Sequence, residues 1–122
     1  MIYKIAHRGN TKGKIPEKEN SVSYILDAAK DHFVEVDVWY KKGEFWLGHD
    51  EPTHLVDVLF LLNEKLFCHA KNEAALHEMT KRDIHCFWHE SDQMTLTSKG
   101  FIWKYPEVYR DGNLFGICSD WL

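Results

Sequence analysis

The sequence predicts an α/β domain built on a mainly parallel sheet. Three observations carry that prediction. Short apolar runs of strand length alternate with helical patterns of about ten residues, the signature of βα units. Polar residues gather where the extended runs end: His7-Arg8, Asp37, His49-Asp50, Lys71, His89-Glu90 and Asp120. The length, 122 residues, suits one domain spanning 1–122, and neither an internal repeat nor a linker breaks it.

Residues 2–6 read as a strand ending at His7-Arg8-Gly9. A polar loop with Gly13 and Pro16 follows, and Ser21 stands where a helix would be capped. Val22, Ile25, Leu26 and Ala29 then fall at helical spacing. Residues 33–38 form the second strand, with carboxylates on alternate positions. Lys41-Lys42-Gly43 turns the chain into another extended run, 44–48, which ends at His49-Asp50. Pro52 and Thr53 look like a helix start, with Leu55, Val58, Leu59 and Leu62 as the expected buried face. Residues 66–71 are a strand, and Asn72 caps a helix carrying Ala75, Leu76 and Met79. Residues 84–89 are a further strand, 91–99 a short helix or turn, and 101–105 and 114–118 complete the set.

Composition narrows the function. Hydrophobic residues at 44% and charged residues at 28% are ordinary for a globular chain and exclude a disordered or low-complexity one. A net charge of −4 supplies no basic field for nucleic acid or an anionic membrane. Cys68, Cys86 and Cys118 each sit in an apolar run, so they read as buried reduced thiols. No apolar stretch approaches the roughly 20 residues that cross a bilayer, and the start runs straight into His7-Arg8 without a signal-peptide core. The expectation is a cytoplasmic protein without an integral membrane segment.

Glu35 and Asp37 lie two apart on a strand and therefore face the same side. If that side is the sheet interior, their repulsion and desolvation demand a cation, most simply a divalent ion with oxygen ligands. If it faces solvent, the alternation is only that of a half-buried strand. His7 and His49 both end extended runs, and Arg8 offers a planar fork suited to phosphate. In a parallel sheet all these ends share one face, where such folds bind ligands. His89 and Asp120 end strands there too. Trp103 is the tryptophan placed to line a pocket, whereas Trp39, Trp46 and Trp88 read as core or wall. His32 and His77 read as solvated.

Taken in order, His7-Arg8-Gly9, Glu19-Asn20-Ser21, Glu35-x-Asp37 and His49-Asp50 resemble the motifs of the glycerophosphodiester phosphodiesterase family, within the phosphatidylinositol-phospholipase-C-like superfamily. The likeness is specific over residues 3–52 and thinner beyond, where 68–72, 101–103 and 116–120 resemble later family strands. It implies a TIM-type (β/α) barrel, here reduced to about six strands instead of eight, and a truncated family domain over 1–122. It implies metal-dependent hydrolysis of a small phosphodiester, a step of lipid metabolism. His7 and His49 match the acid/base pair, Glu35 and Asp37 two metal ligands, and Glu19 the acidic residue beside the metal. Arg8 and Lys71 match phosphate contacts, with Trp103 in the substrate pocket.

The chain departs from the family at the third metal ligand, a Glu replaced by His69. The expected cofactor is therefore Mg²⁺ or Ca²⁺, with a transition ion made possible by imidazole. Two other readings stay open: a ligand-binding or structural relic without turnover, and a lyase forming a cyclic phosphate from the same constellation. Six strands would leave open edges, so a homodimer is also expected.

Overall fold

The computed structural model describes residues 3–91, 94–105 and 116–122. The strands are β1 (Tyr3–His7), β2 (Phe33–Lys41), β3 (Glu44–Leu47), β4 (His54–Val56), β5 (Leu66–Ala70), β6 (Cys86–Phe87), β7 (Met94–Leu96), β8 (Ile102–Lys104) and β9 (Gly116–Ser119). The helices are α1 (Val22–Ala28), α2 (Val58–Leu61) and α3 (Glu73–Lys81). Six strands run parallel from neighbour to neighbour in the order β8-β9-β1-β2-β5-β6. Antiparallel partners extend this sheet at two places, β3 and β4 from β2, and β7 from β8.

The expected TIM-type barrel, even reduced to about six strands, is not formed. The described residues make a mixed nine-stranded sheet with three short helices of 7, 4 and 9 residues, not a ring of alternating strand and helix. The cause is local. A barrel needs a covering helix after each strand, whereas this chain spends residues 42–56 on a hairpin and a third antiparallel strand. At Lys42-Gly43 both residues have positive φ, 52° and 77°, which matches the twist of a two-residue hairpin loop.

The expected helix from Pro52 does not form either. Exposure alternates residue by residue through 53–58, the period of an extended chain, and β4 pairs with β3. Asp57 then caps the short α2, its carboxylate accepting from the Phe60 N–H at 2.9 Å. Leu55, Leu59 and Leu62, expected to be buried, are exposed. The 91–99 stretch supplies β7 instead of a helix, and the 84–89 strand shortens to β6. Ile2, Leu114 and Phe115, expected in strands, lie outside the described residues.

Strand alternation sorts the core into two sides. Ala6, Val34, Val36, Val38, Leu66, Cys68 and Cys86 pack beneath α1 and α3 against Ile25, Ala75 and Met79. Each such fully buried aliphatic side chain contributes roughly 1.5–3 kcal/mol. Ile5, Phe67, Phe87, Trp103 and Cys118 form the second cluster on the opposite face. The sheet curls around that cluster: the Phe87 and Trp103 rings meet at 5.2 Å although β6 and β8 do not pair. The Ser98 N–H closes part of the gap by donating to the Cys86 carbonyl at 2.8 Å. All three cysteines are buried and free, as the apolar runs around them require. No helix among the described residues is long and apolar enough to cross a membrane.

His85 packs against Phe67 and Phe101, with Nε2 2.6 Å from Thr97 Oγ1. Burial, helped by the Lys99 charge, lowers its pKa from 6.5 to about 4. Between those values the unfolded chain binds a proton that the folded chain refuses, so stability rises with pH there. The contribution is fully present above 6.5 and is lost as the pH falls to about 4. A His85→Gln variant should therefore show a flatter urea midpoint across that window than the parent. Parallel curves would remove His85 as the titrating group.

Candidate active site at the strand ends

Because the six strands are parallel, their carboxyl ends share one rim, and alternation divides their inward side chains into two levels. Ile5, Phe67 and Cys118 lie in the lower, apolar level. One pleat further along the same strands come His7, His69 and Asp120, and β2 adds Glu35 and Asp37. Register does the rest: His7 is the direct neighbour of Glu35, and Asp37 of His69. The pleat thus places hydrophobes beneath and ionisable groups above in one chain-wide pattern.

Glu35 and Asp37 are buried, 2% and 1% exposed, and charges so placed need partners. Asp37 has four. Asn20 Nδ2 donates to Oδ2 at 2.9 Å, while Asn20 Oδ1 accepts from the Asp37 N–H at 2.9 Å. Arg8 Nε lies 3.3 Å from Oδ2, His49 Nδ1 3.5 Å from Oδ2, and His69 Nδ1 3.2 Å from Oδ1. Burial alone would raise the Asp37 pKa; the adjacent His49 and His69 imidazoles and the Arg8 charge outweigh it and hold the carboxyl well below the usual range. Glu35 accepts from the Arg8 N–H at 3.2 Å and faces His69 Nδ1 at 3.6 Å. Burial opposes the charge on His69, yet the hydrogen bonds to Asp37 and Glu35 raise its pKa to about 9.

Glu35, Asp37 and His69 bring one ligand atom each within 4.8 Å of one another, the group among the described residues that can hold a metal ion. His69 Nε2 donates to the His89 carbonyl at 3.1 Å, which directs Nδ1 at the carboxylates as an outer-shell partner does for a ligating imidazole. Glu19 is outside this group. Its carboxylate takes Arg8 Nη1 at 3.2 Å and Asn10 Nδ2 at 2.9 Å, so it reaches the centre through Arg8.

The two catalytic candidates are held differently. His7 Nδ1 pairs with Asp120 Oδ1 at 3.0 Å, leaving Nε2 towards Glu35 at 3.9 Å. Asp120 is itself fixed by Asn10 Nδ2 at 2.8 Å and by the Tyr105 hydroxyl at 2.9 Å. Burial pushes the Asp120 pKa up, but the Asn10 hydrogen bond and the His7 charge bring it below its ordinary value. His49 is delivered by Gly48, where any side chain would strike the Glu51 carbonyl. Guanidinium can only donate, so His49 Nε2 accepts from Arg8 Nη2 at 3.2 Å while Nδ1 faces Asp37. Nε2 is thereby engaged, whereas Nδ1 is buried 3.5 Å from Asp37 Oδ2 with no hydrogen-bond partner among the described residues.

His7, Arg8, Glu35, Asp37, His49, His69, Lys71 and Trp103 all line one cavity of about 400 Å³. Trp103 is 2% exposed and its indole N–H has no acceptor among the described residues. Trp88, expected in core or wall, is 44% exposed. A larger groove, about 580 Å³, runs past Tyr40, Phe45, Leu55 and Phe60, away from the histidines and carboxylates. Asn10, Lys14, Asn20 and Tyr105 also belong to the site or its supports, and the sequence pattern does not single them out. Asn20 alone carries a signal, through its place beside Glu19. Comparison with family models, curated proteins and solved structures finds no match to this chain.

Asn20 adopts φ 65°, as Arg8 does at 58°, so two of the site's residues occupy the left-handed region that asparagine tolerates better than most. Asn20→Ala should cost about 2–4 kcal/mol in urea unfolding, combining an unpaired buried Asp37 group with the φ penalty. Asn20→Gly relieves only the second term and should recover about 1 kcal/mol of that loss. Equal stability of parent and Asn20→Ala would contradict the pairing.

Proposed function

We propose that the chain is a metal-dependent phosphodiesterase acting on a small, glycerophosphodiester-like substrate. One observation carries the reading. A cavity at the strand ends combines the Glu35, Asp37 and His69 group, which could hold a metal ion, with His7, His49, Arg8 and Lys71. The motifs over residues 3–52, which resemble the glycerophosphodiester phosphodiesterase family, support it. The donor set of two carboxylates and one imidazole fits Mg²⁺ or Ca²⁺ and also admits transition ions. When bound, such an ion neutralises charge on the phosphoryl oxygens.

The chain's own groups do the remaining work. Lys71 has no carboxylate partner among the described residues and meets the substrate's negative charge. His7, oriented by Asp120, moves a proton at Nε2. His49 handles the other proton once its Nε2 is released, which requires the phosphate to draw Arg8 Nη2 away. A second reading, a binding module without turnover, draws on that same engagement of His49 Nε2 by Arg8.

Two experiments separate these readings. Hydrolysis of bis(4-nitrophenyl) phosphate should be abolished by chelator and reduced by ~10²-fold or more in both His7→Ala and His49→Ala, with circular dichroism unchanged. Near-normal turnover in either variant would remove that histidine, and a folded but inactive parent would favour the binding module. Calorimetric titration with Mg²⁺, Ca²⁺ and Mn²⁺ should show a site in the parent that Asp37→Asn loses. Equal or absent heats in both proteins would dispose of the metal.

A further inference from the structure

Lys14 lies on the loop between β1 and α1, is exposed, and lines both the cavity just described and a neighbouring one of about 440 Å³. Arg8 and His49 are the other residues common to the two cavities. Their junction is therefore where a molecule spanning both would place its central group. For a phosphodiester that group is the phosphate, with one substituent in each cavity.

The cations near this junction differ in what already occupies them. Arg8 Nη1 donates to Glu19 and Nη2 to His49, while Nε lies within ion-pair distance of Asp37 Oδ2, at 3.3 Å, without a hydrogen bond. Arg8 is thus tied to groups of the site, although Nη1 and Nη2 each keep a second N–H for an anion. Lys14 has no carboxylate within ion-pair distance among the described residues, and two buried carboxylates lie across the cavity it lines. With Arg8 and His69 committed to that pair, Lys14 and Lys71 are the cavity's lysines without a carboxylate partner among the described residues, and their charge attracts an approaching anion.

The Lys14 loop is also held in place. The Gly13 N–H donates to the Asp120 carbonyl at 2.7 Å, the Leu122 N–H to the Thr11 carbonyl at 2.8 Å, and Lys12 bridges Trp121. The same residue that orients His7 thus anchors, through its backbone, the loop that presents Lys14. We propose that Lys14 is a substrate-binding residue that contacts the non-bridging phosphoryl oxygens of a phosphodiester at the junction of the two cavities. This rests on the phosphodiesterase reading for its substrate, but the anion site itself can be tested without turnover.

Lys14→Met keeps the length of the stem and removes the charge at an exposed position. It should weaken binding of inorganic phosphate, followed by calorimetry, by about tenfold, the scale of one charge-assisted hydrogen bond. With bis(4-nitrophenyl) phosphate the KM should rise by a similar factor while kcat stays within about twofold, and Lys14→Arg should restore both. A structural role would lower the urea midpoint instead and would not be rescued by arginine. Phosphate binding equal in parent and Lys14→Met, or absent in both, overturns the proposal. Loss of phosphate binding in Lys14→Met from a parent that binds phosphate but hydrolyses nothing upholds Lys14 and rejects only the hydrolase.

Discussion

Two carboxylates buried side by side on the inner face of β2 are the constraint to which the rest of the site answers. Removing such groups from water costs several kcal/mol each unless cations and hydrogen bonds replace the lost hydration. Asp37 obtains them from three different parts of the chain: Arg8 and Asn20 before α1, His49 after β3, and His69 on β5. Strand register fixes His69, whereas Arg8, Asn20 and His49 stand on loops that need a further anchor. Their shared obligation to Asp37 and Glu35 draws them to one point. The left-handed conformations at Arg8 and Asn20 are local strains held by that obligation.

Alternation makes much of this legible in the amino-acid sequence. Valines at 34, 36 and 38 against acids at 35 and 37 separate two faces, and strand-end clustering of His, Arg and Lys marks the rim. The capping role of Asn72 is readable because its side chain acts within three residues, accepting from Ala75. Residues 53–62 are not, since Leu55, Val58, Leu59 and Leu62 fit a helical stripe as well as a strand followed by a turn of helix. Asp57 decides the matter by capping, and the pairing of β4 with β3 supplies the backbone bonds that a longer helix would have made. The barrel expectation comes from a likeness concentrated in residues 3–52. It does not register that the described residues beyond it carry only the short α2 and α3.

Partners across long sequence distances are the least readable part. Asp120 meets His7 across 113 residues, and Asn10 meets Asp120 across 110. Those contacts exist because β9 inserts between β1 and β8, an order no local pattern announces. The two histidines show what such placement does. Each stands beside a carboxylate, but His7 is anchored by Asp120 at Nδ1, whereas His49 is held by the Arg8 guanidinium at Nε2. Identical side chains thus enter any proton transfer from unequal starting points.

The central position of β9 has a bearing on how the protein is made. Residues 116–119 pair with β1 on one side and β8 on the other, so β1 is made long before the strand that fills that flank. Until then β1 can pair with β2, and β2 with β5, but the ends of β1 and its Lys14 loop lack Asp120 and Trp121. Non-local pairing of this kind slows folding and leaves a strand edge open to other nascent chains. The acidic pair can be assembled before the Asp120 that orients His7 arrives, so the synthesis of β9 acts as the step that readies the site.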